Sequence, residues 1–203
     1  AISVRRVGEG FDERAIPLMG VTAAFIFAAQ MINFPVVGGT SGHLLGAVLA
    51  AILLGPWAGT LGMASVIAVQ SLVFQDGGLL AMGANIVNMG LIGTIGGYAI
   101  YRTTARVLGG EEKRRLPAAA IAAWSAVMLG AAAASFELAF SGTTTLAVVL
   151  PAMLGTHALI GIGEALIIVG ALALIQSARP DLLQLRDVRG ATPTGPAIEM
   201  IES

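Results

Sequence analysis

Long apolar runs constrain this chain more than any other feature of its sequence. They occupy residues 15–34, 57–74, 79–101 and 116–140, with a shorter run at 44–54 and a broken one at 143–176. An apolar run of about 20 residues is long enough to cross a bilayer as a helix, whereas one of about 11 is not. The run 44–54 therefore predicts a partial span inside a bundle. Pro151 and Gly155 interrupt the last run, which predicts a short helix or re-entrant piece followed by one full helix. Composition agrees: 56% of the residues are hydrophobic, only 11% are charged, and the mean hydropathy is +0.86. A soluble domain carries roughly 25% charged residues, and a small one cannot bury this much apolar surface. The expected fold is an all-α, polytopic helical membrane protein of about six segments, one short and one broken. Residues 1–176 form a single membrane domain. Residues 177–203, with Thr192-Pro-Thr-Gly-Pro196, form a loose cytoplasmic tail.

Charge supports this parse. Placing residues 1–14 on one side puts Gly55-Pro56, the stretch 102–115 and the tail on the same side. All 11 Lys and Arg fall there, and the positive-inside rule makes that side cytoplasmic. Both termini of this chain are then cytoplasmic, and residues 33–46 and 75–78 face outward. The absence of cysteine excludes disulfides, thiolate zinc sites and thiol catalysis. The sequence has no basic arm and no Arg-rich helix, so nucleic acid is discarded as a partner. The pairs Gly42/Gly46, Gly55/Gly59 and Gly93/Gly97 let helices approach closely. They serve either packing within the chain or a docking face for another membrane subunit.

The polar break at 33–46 holds His43, one of only two histidines. Pro35 ends the run before it, and Gly38, Gly39 and Gly42 free the backbone to turn. Ionisable and amide side chains inside spans are costly and mark functional sites by default. Here they are Gln30, Asn33, His43, Gln70, Gln75, Asp76, Asn85, Asn88, Glu137, His157 and Glu164. Asn85 and Asn88 are three apart and share a helix face. Most of the set falls at one level of the membrane, which predicts a single outward pocket. It has Asn33, Thr40, Ser41, Gln75, Asp76, Asn85, Asn88 and His157 around His43. A neutral imidazole suits nickel, copper, cobalt and zinc. His43 is thus either a metal ligand or a histidine bonded to a backbone carbonyl. His157 is a second ligand or a packing residue. Glu164 pairs with it or holds a helix contact. A rival reading takes Gly39-Thr40-Ser41-Gly42 as similar to the Gly-x-Ser-Gly of rhomboid-type intramembrane proteases, with Ser41 and His157 as a catalytic dyad.

Several longer stretches carry a resemblance. They are 28–46 (Ala-Ala-Gln-Met-Ile-Asn-Phe-Pro-Val-Val-Gly-Gly-Thr-Ser-Gly-His-Leu-Leu-Gly), 53–59 (Leu-Leu-Gly-Pro-Trp-Ala-Gly) and 75–78 (Gln-Asp-Gly-Gly). Residues 82–90 (Met-Gly-Ala-Asn-Ile-Val-Asn-Met-Gly) and 157–165 (His-Ala-Leu-Ile-Gly-Ile-Gly-Glu-Ala) complete them. Together they resemble the CbiM/NikM family, the substrate-binding membrane components of energy-coupling-factor transporters for cobalt and nickel. The resemblance implies a transporter subunit of a bacterial inner membrane, not an enzyme, that captures Co2+ as transported substrate, with Ni2+ as the alternative and cobalamin biosynthesis as the setting. It implies a transmembrane coupling subunit, two ATPase subunits and a small accessory membrane subunit as partners. In that family the ion is held by the free amino terminus, by a His directly after the initiator Met, and by the loop His matching His43. The set is nitrogen-only and near square-planar, which suits nickel(II) and, with adaptation, cobalt(II). The Met-His start and most of a first helix are absent before Ala1, so the full-length protein is expected to have one more N-terminal helix. Among the expected side-chain ligands the chain as written keeps His43. Nothing in it resembles a Gly-x-x-x-x-Gly-Lys loop, so it binds no ATP itself.

Overall fold

The computed structural model describes residues 3–5, 15–36 and 40–183. Gly38, Gly39 and the tail beyond Leu183 lie outside the described residues. Helix α1 spans Ala15–Gln30. Strand β1, Asn33–Val36, pairs antiparallel with β2, Thr40–His43. Helix α2, Ala47–Leu54, has only 8 residues. Helices α3 (Pro56–Phe74), α4 (Gly78–Val107), α5 (Glu111–Phe140) and α6 (Leu146–Ala178) complete the bundle. Four helices, α3 to α6, are long and apolar enough to cross a membrane. With α1 and α2 they make the six expected segments among the described residues.

Two boundaries differ from the sequence reading. The run 15–34 is not helical throughout: α1 stops at Gln30, and Asn33-Phe34 already pair with Gly42-His43 across the hairpin. Pro35 cannot continue a helix, and a two-stranded ribbon satisfies the backbone instead. The run 143–176 is not divided. Helix α6 runs through Pro151 and Gly155 for 33 residues, which at about 1.5 Å per residue is about 50 Å. Pro151 sits near its start, and freed backbone groups are tolerated in membrane helices where neighbours re-satisfy them. The re-entrant piece of this chain is the hairpin, not the segment around Pro151.

Three layers of core stack along the bundle. At one end Leu54, Ala58, Tyr101, Ala105, Ala118 and Leu172 pack together. Ile26, Leu45, Ala47, Met63, Met89 and Ile160 fill the middle. Val36, Ala131, Val149 and Met153 close the hairpin end. Five of the six paired glycines pack closely within the chain, Gly55 being the exception with open space around it. A Cβ on Gly93 would meet Ala47 at 2.8 Å, and one on Gly97 would meet Val48 at 2.6 Å. One on Gly59 would meet the Ala51 backbone at 3.1 Å. Large apolar side chains point outward along the spans, including Leu159 at 72% and Leu166 at 69% exposure. That is the pattern of a helix whose solvent is lipid.

Wide π-helical turns occupy Gln70–Phe74 at the end of α3 and Ile86–Gly96 in the middle of α4. Such turns are found mostly at functional sites, and here the second one carries Asn88.

Candidate functional site

The site is built on a hairpin that reaches into the bundle. Gly42 lies so close to α6 that a Cβ there would sit 2.7 Å from Ile160 Cδ1 and 2.9 Å from His157 Cε1. Gly46, in a left-handed conformation (φ 69°), packs against Ile26 of α1 and begins α2 inside the core. Backbone at that depth has no water to bond, so the protein must supply every partner. The Leu45 N–H donates to Glu164 Oε2 at 3.0 Å, and the Gly46 N–H donates to Glu164 Oε1 at 2.6 Å. Leu45 O accepts from Gln30 Nε2 at 2.7 Å. Gln30 Oε1 accepts in turn from Gln70 Nε2 at 3.0 Å. Gln30, Gln70 and Glu164 are all buried. They clamp Leu45 and Gly46, two residues past His43.

His43 closes β2, opposite Asn33. Its Nδ1 lies 3.0 Å from Leu44 O. A carbonyl only accepts, so in the neutral tautomer that makes this bond Nδ1 carries the proton and Nε2 keeps its lone pair. His157 repeats the arrangement: Nδ1 donates to Met153 O at 2.8 Å, which leaves Nε2 unprotonated in the neutral ring. Both imidazoles line one inner cavity of about 90 Å³, with Ser41, Asn85, Asn88 and Met153. It shares His43, Ser41, Asn85 and Asn88 with a larger outer chamber of about 640 Å³. Asp76, Glu137, Ser141 and Thr143 line that chamber toward the hairpin end. Asn88 Nδ2 donates to Glu137 Oε2 at 2.7 Å.

The structure therefore gathers Ser41, His43, Asp76, Asn85, Asn88 and His157 from the sequence-predicted set. Asn33 and Gln75 do not line either cavity; both are exposed. Gln75 instead takes the left-handed φ of 57° that ends α3 and starts the turn to Asp76. Thr40 contributes its backbone to β2. Glu164 is not paired with His157: its carboxyl group is taken up by the Leu45 and Gly46 amides. Glu137, which the sequence already sets at the outer level with Asn33, His43 and Asp76, lines the outer chamber; Gln30 and Gln70 were visible in sequence only as polar residues inside spans. Ser41 is exposed, and no hydrogen bond joins it to His157 among the described residues. Among the described residues no three His, Cys, Asp or Glu side chains come together as a metal-holding group. His43 and His157 bring two imidazole nitrogens to the wall of one cavity.

Residues 1–182 match the family described as the cobalt uptake substrate-specific transmembrane region, CbiM. The chain belongs to the CbiM family. A relative from Archaeoglobus fulgidus that carries the name of a fused nickel transport protein, NikMN, is 43% identical over 180 residues, which are 88% of this chain. The chain spans 59% of that relative's length. A cobalt transport protein CbiM from Sorangium cellulosum is 31% identical over 87% of this chain and 80% of its own length. A crystal structure of a transition metal transporter superposes with a TM-score of 0.82 at 31% identity, covering 94% of this chain and 89% of the other. This CbiM-family chain is thus a polytopic helical membrane protein of a transporter family, and the Ser41/His157 protease reading is set aside.

Proposed function

We propose that this chain is the substrate-capture subunit of an ATP-driven energy-coupling-factor importer, and that the ion it captures is divalent cobalt. One observation carries the reading: His43, with an unprotonated Nε2, stands at the end of a hairpin inserted in the bundle and lines a cavity continuous with an open chamber. A neutral imidazole at the head of such a chamber is a ligand for a borderline divalent ion. His157 stands beside it with the same tautomer. Nickel is the second reading, favoured by the A. fulgidus relative named for nickel transport at 43% identity. The confinement of Lys and Arg to one side supports the reading that the hairpin end faces outward and the Leu108–Gly110 connection faces the cytoplasm, and the membrane of this reading is a bacterial inner membrane. The coupling subunit, two ATPases and an accessory membrane subunit are the partners that supply energy and release.

The test is metal retained by the purified full-length protein assembled with its partners, measured by mass spectrometry after loading with Co2+ or Ni2+. His43→Ala is expected to lose the ion while assembly, checked by co-purification, is kept. His157→Ala is expected to weaken retention by about 10–100-fold, the usual effect of a group that supports a ligand. Wild-type retention in His43→Ala would refute the assignment.

A further inference from the structure

The two peptide groups between Leu44 and Gly46 are each held at both ends. Both are trans, so in each the C=O and the N–H lie in one plane and point in opposite directions. In the Leu44–Leu45 peptide, Leu44 O accepts from His43 Nδ1 at 3.0 Å, and the Leu45 N–H donates to Glu164 Oε2 at 3.0 Å. In the Leu45–Gly46 peptide, Leu45 O accepts from Gln30 Nε2 at 2.7 Å, and the Gly46 N–H donates to Glu164 Oε1 at 2.6 Å. Only the first plane bonds the imidazole. It joins the Glu164 carboxyl group to the His43 ring through a single amide. The order is carboxyl oxygen, N–H, C=O, Nδ1–H, with the free Nε2 on the far side of the ring.

A metal-binding imidazole usually gives its second nitrogen to a carboxylate or a carbonyl, which fixes the tautomer and strengthens the ligating nitrogen as a donor. At His43 the acceptor is a carbonyl, with a carboxyl group one peptide behind it. Hydrogen bonds in series polarise one another where the dielectric is low, and Glu164 is only 2% exposed. An acceptor on the Leu45 N–H shifts electron density onto Leu44 O, and that oxygen then draws harder on the Nδ1 proton. We propose that Glu164 is a positioning residue for His43, acting through the Leu44–Leu45 peptide to set the angle of the ring and the donor strength of Nε2. The proposal deepens the reading of His43 as the ligand and rests on it for the ion, whereas the relay itself is a property of the metal-free protein. His157 supplies the contrast. Its Nδ1 donates at 2.8 Å to Met153 O, a carbonyl one turn back in the same helix. Glu164 lies further along that helix, yet both of its oxygens are taken by the hairpin-end amides. A change at Glu164 should therefore reach His43 and pass His157 by.

The test is nitrogen-15 NMR of the metal-free, full-length protein with labelled histidine, followed by titration with Co2+ and with Ni2+. The two rings are assigned by the signals lost in His43→Ala and His157→Ala. Two variants separate the relay from the clamp. Glu164→Gln keeps the size of the side chain and one acceptor oxygen, and Gln30→Met removes the partner of the second peptide plane only. Both should lower the melting temperature, because each leaves a buried backbone group unpaired. In Glu164→Gln the Nδ1 and Nε2 resonances of His43 should move while those of His157 stay, and affinity for the ion should fall about 10–100-fold, the usual effect of a change behind a ligand. In Gln30→Met the His43 resonances should stay in place, and affinity should fall less than in Glu164→Gln. Parent-like His43 resonances in Glu164→Gln overturn the relay, and so does a loss of affinity that tracks the loss of melting temperature equally in both variants. If Glu164→Gln does not fold, Glu164→Asp decides: its shorter carboxyl group should displace the His43 resonances, and unchanged ones overturn the proposal. Co2+ retained by His43→Ala would remove the ligand reading instead, and the metal-free resonances would still decide the relay.

Discussion

Removing the Glu164 carboxyl group should unseat the hairpin. Helix α2 begins in the middle of the bundle, where its first N–H groups have no water to turn to. Glu164, 2% exposed, accepts the Leu45 and Gly46 N–H groups across 119 and 118 residues of chain. No side chain of the N-cap itself does so, because the N-cap is Gly46. In Glu164→Ala both amides are left buried and unpaired, at about 1–3 kcal/mol each, or about 2–6 kcal/mol together. For a chain of this size that corresponds to a drop on the order of 5–20 °C in melting temperature. Glu164→Gln keeps one acceptor oxygen but turns an NH2 toward the other N–H, so it should lose roughly half as much. Glu164→Asp, one methylene shorter, reaches less well and should fall between.

The assay is thermal denaturation in detergent, followed by loss of the monodisperse peak, alongside hydrogen exchange at Leu45 and Gly46. Exchange at these two amides should accelerate in Glu164→Ala. The Ala122 and Ala126 amides in the middle of α5 should not change, since they belong to another contact. A melting temperature within about 2 °C of the parent would refute the capping argument, and so would unchanged exchange at Leu45 and Gly46.

Two further outcomes follow from the packing and the charge distribution. Gly42→Val places a branched side chain where Cβ alone would be 2.7 Å from Ile160 and 2.9 Å from His157; the hairpin must shift, and metal retention by the full-length protein should drop about 10–100-fold. The chain has no native cysteine, so single cysteines at Thr145 and Leu108 should react with an impermeant maleimide from opposite faces of the membrane. Labelling of both from outside would overturn the topology.

The helical architecture was legible because lipid demands it: runs of about 20 apolar residues have one solution other than a closed barrel. The errors fell where that demand is relaxed. Asn33 and Phe34 continue an apolar run, yet they leave the helix because Pro35 follows and the strand of Thr40–His43 offers backbone partners. Only the tertiary pairing reveals that partner. Pro151 and Gly155 carry breaking signals, but α6 continues because Val149 and Met153 are anchored in the core on either side of Pro151. Propensity loses to packing there. The site was legible as a level in the membrane and as His43. It was not legible as two cavities, because Asn88, Glu137 and His157 come from different helices.

The polar residues inside the spans also divide in a way that spacing does not show. Gln30, Gln70 and Glu164 count in sequence as candidate functional residues, since each is an isolated polar group in an apolar run. In the fold each is consumed by a protein partner: Gln70 by Gln30, Gln30 by Leu45 O, and Glu164 by two amides. They hold irregular backbone at depth, and that use leaves them little capacity for a passing ion. Asn88 is the opposite case. Its amide nitrogen is engaged and its oxygen is not. A satisfied polar group in a membrane protein stabilises, whereas a half-satisfied one destabilises unless something else binds it. The distinction between scaffold and ligand site in this bundle therefore rests on hydrogen-bond accounting atom by atom. By that accounting Gln30, Gln70 and Glu164 belong to the scaffold behind His43.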